Sequence, residues 1–106
     1  MSRGATVLAA FSITPLGDSD SVGDAVARIV RVVRDSGLPN ETTAMFTTVE
    51  GTPREVFDLL ERCLAEAEQL APRVSVTAKF DHRPGHDGML RAKVERVEAA
   101  LDEQDG

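Results

Sequence analysis

The sequence predicts an α+β sandwich, from three observations. Stretches alternating apolar and polar residues at period two interleave with stretches carrying an apolar stripe at helical spacing. Short Pro/Gly-rich breaks fall between them, with no linker, repeat or low-complexity tract. The composition is that of a folded chain: 42% hydrophobic and 28% charged over 106 residues. That length suits one domain at roughly 100–200 residues per domain. The domain is assigned to 1–106, with an ordered core at 5–101.

The first element, Ala5–Thr14, sets Val7, Ala9, Phe11 and Ile13 against Leu8, Ala10, Ser12 and Thr14. This alternation is a strand with a half-apolar second face. Pro15-Leu16-Gly17-Asp18 breaks it. Ser21 with Asp24 resembles a capping box. Val22, Ala25, Val26, Ile29, Val30 and Val33 then mark one face of a helix that Gly37 stops, while Arg28, Arg31 and Arg34 project elsewhere. Glu41–Met45 and Phe46–Val49 are Thr-rich and β-branched, and read as two strands or a hairpin, closed by Glu50-Gly51.

Thr52-Pro53-Arg54-Glu55 is the sharpest boundary in the chain, with Thr at the N-cap, Pro at N1 and Glu at N3. The helix it opens directs Val56, Phe57, Leu59, Leu60, Cys63, Leu64, Ala67 and Leu70 inward. Arg73–Asp81 is the last strand, with Val74, Val76, Ala78 and Phe80 on one face and Ser75, Thr77 and Lys79 on the other. After a polar turn at His82–Gly88, a final helix carries Leu90, Val94, Val97 and Leu101 on one side.

The order β-α-β-β-α-β-α fits a ferredoxin-like βαββαβ sandwich with an extra C-terminal helix: one antiparallel sheet, helices on one face. The other face, with Leu8, Ala10, Ser12, Ser75, Thr77 and Lys79, is partly apolar and lacks a cover. A second subunit is expected there.

Charge and composition exclude several function classes. Eighteen acidic against 12 basic residues give a net charge of −6. Binding to nucleic acid or an anionic membrane is disfavoured, because phosphate recognition needs clustered Lys and Arg. The aromatics are four Phe, too few for a base-stacking platform. No apolar run approaches the ~20 residues of a membrane span, and no signal peptide is visible, so the expected location is cytoplasmic.

No catalytic constellation emerges. Asp81-His82-Arg83-Pro84-Gly85-His86-Asp87 gathers metal-ligand residue types, but in a Pro-Gly turn, which favours a solvated loop over a metal site. Cys63 lies on an apolar stripe and reads as a buried, inert thiol. Ser12 lacks a nucleophile elbow. Pro15-Leu16-Gly17-Asp18-Ser19 lacks the Gly-Lys-Ser/Thr end of a phosphate loop. What stands out is a set of hydroxyls and charges at strand ends: Ser12, Thr47, Thr48, Glu50, Thr77, Lys79 and Asp81. They read either as ordinary sheet polarity or as a small polar pocket.

Several ordered segments resemble the thiamine-binding protein family (YkoF-like). These are Ala10-Phe11-Ser12-Ile13-x-Pro15-Leu16-Gly17, Ser21-Val22, Ser36-Gly37-Leu38, Met45-x-Thr47-x-Val49-Glu50-Gly51, Arg73-Val74, Asp81-x-Arg83 and Lys93-Val94. The resemblance spans about residues 5–101. Phe46 stands where the family usually has Gly, Ala44 where Pro is common, and Asn40 where an aromatic is frequent. The resemblance implies a ferredoxin-like fold, a homotetramer built as a dimer of dimers, and non-enzymatic binding of thiamine (vitamin B1) or its hydroxymethylpyrimidine half, with no other cofactor.

The residues suit such a ligand. Ser12 and Thr47 offer hydroxyls to an aminopyrimidine edge, and Glu50 or Asp81 a carboxylate. A ring such as Phe11 or Phe46 can face a thiazolium cation. The expected binding set is Phe11, Ser12, Phe46, Thr47, Glu50, Lys79 and Asp81, with no metal. Two rivals stand beside it: a small α+β enzyme using His82 or His86 as acid or base, and a ligand-free oligomeric regulatory module.

Overall fold

The computed structural model describes residues 6–17 and 22–105. Seven elements follow in the expected order: β1 (Val7–Leu16), α1 (Val22–Asp35), β2 (Asn40–Thr42), β3 (Thr47–Gly51), α2 (Pro53–Glu68), β4 (Arg73–His82) and α3 (Met89–Asp105). The strands form one antiparallel sheet in the order β2-β3-β1-β4. This is the split arrangement of a ferredoxin-like α+β fold, in which β3 lies between the two strands that α1 connects.

The period-two pattern of β1 decides where the core forms. Val7, Ala9, Phe11 and Ile13 are buried on the face toward α1 and α2, where they meet Ile29, Val33, Val56, Leu59 and Cys63. Leu8, Ala10 and Ser12 on the reverse face are half-buried, and Ser75, Thr77 and Lys79 beside them are exposed. The capping box at Thr52 forms in full: its hydroxyl accepts from Glu55 N–H, and the Glu55 carboxylate accepts from Thr52 N–H at 2.9 Å. Gly37 ends α1 at φ +78°, a conformation that costs a side-chain-bearing residue more. The Ser21 cap and the Asp18 turn position lie outside the described residues.

Four details depart from the sequence reading. β1 runs two residues beyond Thr14, with Pro15 opposite Val74 and Leu16 opposite Arg73. Past Phe11 the strand has no paired neighbour on its β3 side among the described residues, and such an edge tolerates a proline, which has no N–H. The middle strands are shorter and displaced, because residues 43–46 form a turn and Glu50-Gly51 belong to β3.

Phe57 does not point inward. It is 55% exposed and stacks against Phe80 at a ring-centroid distance of 5.2 Å, at the rim of α2. The same rim leaves Val76 and Phe80 of β4 partly open, since two helices do not cover four strands to their edge. α3, finally, buries no residue. Its stripe of Val94, Val97 and Leu101 is exposed.

Candidate functional site

Two rows along β1, one around Leu8 and one at Phe11 where the pairing with β3 ends, gather the polar groups that the sequence singled out, and they differ in kind. At the Phe11 end, the sheet, α1 and the β2–β3 turn enclose a recess of about 180 Å³. Phe11, Ser12, Phe46 and Thr47 all line it. Val26, Ile29 and Val30 of α1 form its apolar wall, and Thr42, Thr43 and Met45 complete the rim. Phe11 is 2% exposed and anchors the floor, whereas Phe46 is 37% exposed and stands at the mouth.

The turn that carries Phe46 is built by one hydroxyl. Thr43 N–H donates to the Phe46 carbonyl at 2.9 Å. The Thr43 Oγ1 donates to the same carbonyl at 3.1 Å and accepts from the N–H groups of Met45 and Phe46 at 3.4 and 3.2 Å. A threonine side chain of this kind substitutes for backbone bonds that so short a turn cannot make itself. Thr47, opposite Phe11 on the α1 side of the sheet, holds no such bond among the described residues and leaves its hydroxyl open to a ligand, whereas Ser12 borders the recess from a position whose side chain belongs to the reverse face.

The other end is saturated. Glu50 lies opposite Leu8 on β3, and Asp81 lies opposite Leu8 on β4. This row is three residues from Phe11, about 10 Å at ~3.3 Å per residue. Glu50 is 3% exposed. Its carboxylate accepts from the Thr6 hydroxyl at 2.6 Å and from the N–H groups of Met89 and Leu90 at 2.9 and 3.0 Å. Those N–H groups open α3, so Glu50 places a buried negative charge on a helix N-terminus. Burial pushes its pKa up, but the bonds from Thr6, Leu90, Met89 and Gly88 outweigh it and hold the carboxyl below its ordinary value.

Asp81 pairs with Lys93 of α3 at 2.6 Å, and that bond keeps its carboxyl below the usual range. Lys79 lies exposed opposite Ala10. Of the seven expected binding residues, then, four share the recess, and Glu50, Lys79 and Asp81 lie apart from it.

The histidines are exposed and neither lines the recess. His82 Nδ1 is 3.0 Å from the Thr6 carbonyl, and the His86 carbonyl accepts from the Thr6 hydroxyl at 3.3 Å, which pins the 82–88 turn to the start of β1. Among the described residues no group of three or more His, Cys, Asp or Glu is placed to hold a metal ion. Cys63 is fully buried, and burial pushes its thiol up to about 11, which suits packing and not nucleophilic attack. No helix among the described residues is long and apolar enough to cross a membrane.

Sequence reasoning missed the α1 wall and Thr43. Val26, Ile29 and Val30 appeared as core stripe, and nothing local in the sequence joins them to a turn 13 or more residues away. Thr43 carried a legible signal, a hydroxyl residue at the head of a short turn, but the strand reading of 41–45 concealed it.

The ferredoxin-like α+β fold hosts many unrelated functions, and comparison with known proteins narrows the class. Residues 9–98 match the family described as thiamine-binding protein. A UPF0045 protein of Mycobacterium bovis is 50% identical over 97 residues, covering 91% of this chain and 95% of its own length. One from Synechocystis is 32% identical over 97 residues, covering 91% and 80%. The chain belongs to the thiamine-binding protein family.

Solved structures agree on the fold. A hypothetical protein from Methanocaldococcus jannaschii superposes with a TM-score of 0.79 at 28% identity, covering 88% of this chain and 96% of that one. A Thermotoga maritima protein ascribed to thiamine biosynthesis or salvage gives 0.72 at 20% identity, covering 84% and 98%. That likeness concerns the fold alone.

Proposed function

We propose that this protein binds thiamine or its hydroxymethylpyrimidine half in the recess between β1, α1 and the 43–46 turn, and that it does so without catalysing a reaction. The observation that carries this is the recess itself. It pairs an apolar wall and two phenyl rings with the unengaged Thr47 hydroxyl, a surface that takes a flat heteroaromatic ring and fixes its polar edge. Family membership supports the same ligand class. The rival enzymatic reading needs an imidazole in an enclosed pocket, and the exposure of His82 and His86 gives it no support.

Calorimetric titration tests the proposal. Heat and a raised melting temperature are expected with thiamine or hydroxymethylpyrimidine. Neither effect at millimolar ligand would overturn it.

The same reading includes a closed homotetramer in a cytoplasmic setting. Two surfaces support assembly: the sheet face with half-buried Ala10 beside exposed Ser75 and Thr77, and the outer edge of β4, ten residues long with no strand beside it among the described residues. A long unpaired edge strand invites another strand. Ala10→Glu should split the assembly by placing an unpaired charge in the sheet contact. Sedimentation of the wild-type chain as a monomer at micromolar concentration would remove this part.

A further inference from the structure

The size and lining of the recess discriminate among ligands of the proposed class. An apolar cavity of about 150 Å³ holds one benzene ring, and pockets for drug-sized ligands run to about 300–1,000 Å³. At about 180 Å³ the recess encloses one six-membered ring, and a second linked ring would have to leave through the mouth, past Phe46. No described residue that lines it is ionisable. A phosphate dianion placed there would lose its water and find no counter-charge, a cost that a site of hydroxyls and hydrocarbon does not offset.

Phe46 sets the limit on the open side. It stands at the mouth, and the Thr43 hydroxyl holds the turn there by two hydrogen bonds with the Phe46 backbone and one from Met45 N–H. Removing the ring would extend the recess outward, toward Met45, which is 74% exposed. The backbone bond from Thr43 N–H to the Phe46 carbonyl closes the same turn.

We propose that Phe46, fixed by the Thr43 turn, restricts this site to a single uncharged heteroaromatic ring. The free hydroxymethylpyrimidine is then the ligand, while thiamine and the phosphorylated pyrimidine are rejected. This rests on the reading of the recess as a binding site and adds a rule of selection to it. Phe46 is the specificity-determining residue and Thr43 a positioning residue that acts through it.

Titrating hydroxymethylpyrimidine, its phosphate ester and thiamine into the wild-type protein, Phe46→Ala and Thr43→Val tests the rule. The wild type should bind the pyrimidine at least about ten-fold more tightly than thiamine, a ratio of the size that shape exclusion gives. It should bind the phosphate ester more weakly still. Phe46→Ala should bring thiamine to within about three-fold of the pyrimidine and leave the phosphate ester rejected, since the charge of the lining is unchanged. Thr43→Val should shift the ratio in the same direction, by less. Both residues are exposed, and an unchanged melting temperature confirms that the variants fold.

Equal affinity of the wild type for thiamine and the pyrimidine, or a ratio that Phe46→Ala does not move, would overturn the rule and leave the binding site standing. Tight binding of the phosphate ester would overturn the charge argument. Absence of binding by all three compounds to all three proteins would overturn the rule and the proposed function together.

Discussion

The two ends of the β1–β3 pairing, around Leu8 and around Phe11, carry similar residue types and use them in opposite ways. Around Leu8, Glu50 accepts from Thr6, Met89 and Leu90, and Asp81 is paired with Lys93. Around Phe11, the Thr47 hydroxyl faces a recess with no protein partner among the described residues. A polar group whose bonds are all made holds structure together. One left open beside an apolar wall has bonding capacity to offer a ligand, at the cost of leaving it unmade when the site is empty. A carboxylate on a strand end is therefore weak evidence for a binding site until its partners are known.

Substitutions can break this comparison, and the largest effect belongs to the saturated end. Glu50→Ala should strip the cap from α3 and lower the unfolding free energy by about 2–3 kcal/mol, because buried donors lose their acceptor. Urea unfolding measures the loss, and faster amide exchange at Met89 and Leu90 locates it. Ligand affinity should stay unchanged. A loss of binding as large as the loss of stability would join the two ends into one site.

Thr47→Val is the mirror experiment. It keeps the shape of the residue and removes one hydroxyl from the recess, so binding should weaken about ten-fold, or ~1.4 kcal/mol. Stability should move by less than about 0.5 kcal/mol. His86→Ala, at the other end, should leave the calorimetric affinity as it is.

Acid sharpens the contrast further. Glu50 titrates below its ordinary value of 4.5 in the folded protein. The folded state therefore binds its proton less readily than the unfolded chain does. Its contribution is fully present above the unfolded pKa and is lost as pH falls through the lower folded one. Melting temperature should drop below about pH 4.5, and less steeply in Glu50→Gln, which carries no titrating group. Equal slopes for the two proteins would remove Glu50 as the acid-sensitive anchor.

The smallest change is expected at Lys93→Ala. The pair it breaks with Asp81 is exposed on both sides, and solvent screens such pairs. Its unfolding midpoint should coincide with that of the wild type in ordinary salt, though α3 exchange near Lys93 should rise slightly.

Periodicity made the fold readable because burial imposes it residue by residue. Val7, Ala9, Phe11 and Ile13 must share a face if that strand is to have a dry side, and Thr52, Pro53 and Glu55 meet needs local to one helix turn. The order of those elements then leaves few ways to connect an antiparallel sheet. Phe57 defeated the same logic. Helical spacing places it near the stripe, yet only the width of the sheet beneath α2 determines whether a residue at that angle is covered. The turn at 43–46 was hidden for a related reason: Thr and β-branched residues suit a strand, and the hydroxyl of Thr43 competes with that pairing only when the chain reverses.

The sequence by itself determined the element order, the buried face of β1 and the capping of α2. Those follow from contacts between near neighbours, or from the alternation of one strand. Only the tertiary structure decided that Glu50 serves α3, that Val26, Ile29 and Val30 wall the recess, and that Thr43 holds Phe46 at its mouth. Glu50 and Leu90 are 40 residues apart. Partners so distant in sequence impose no spacing on each other, and folding of the whole chain brings them together.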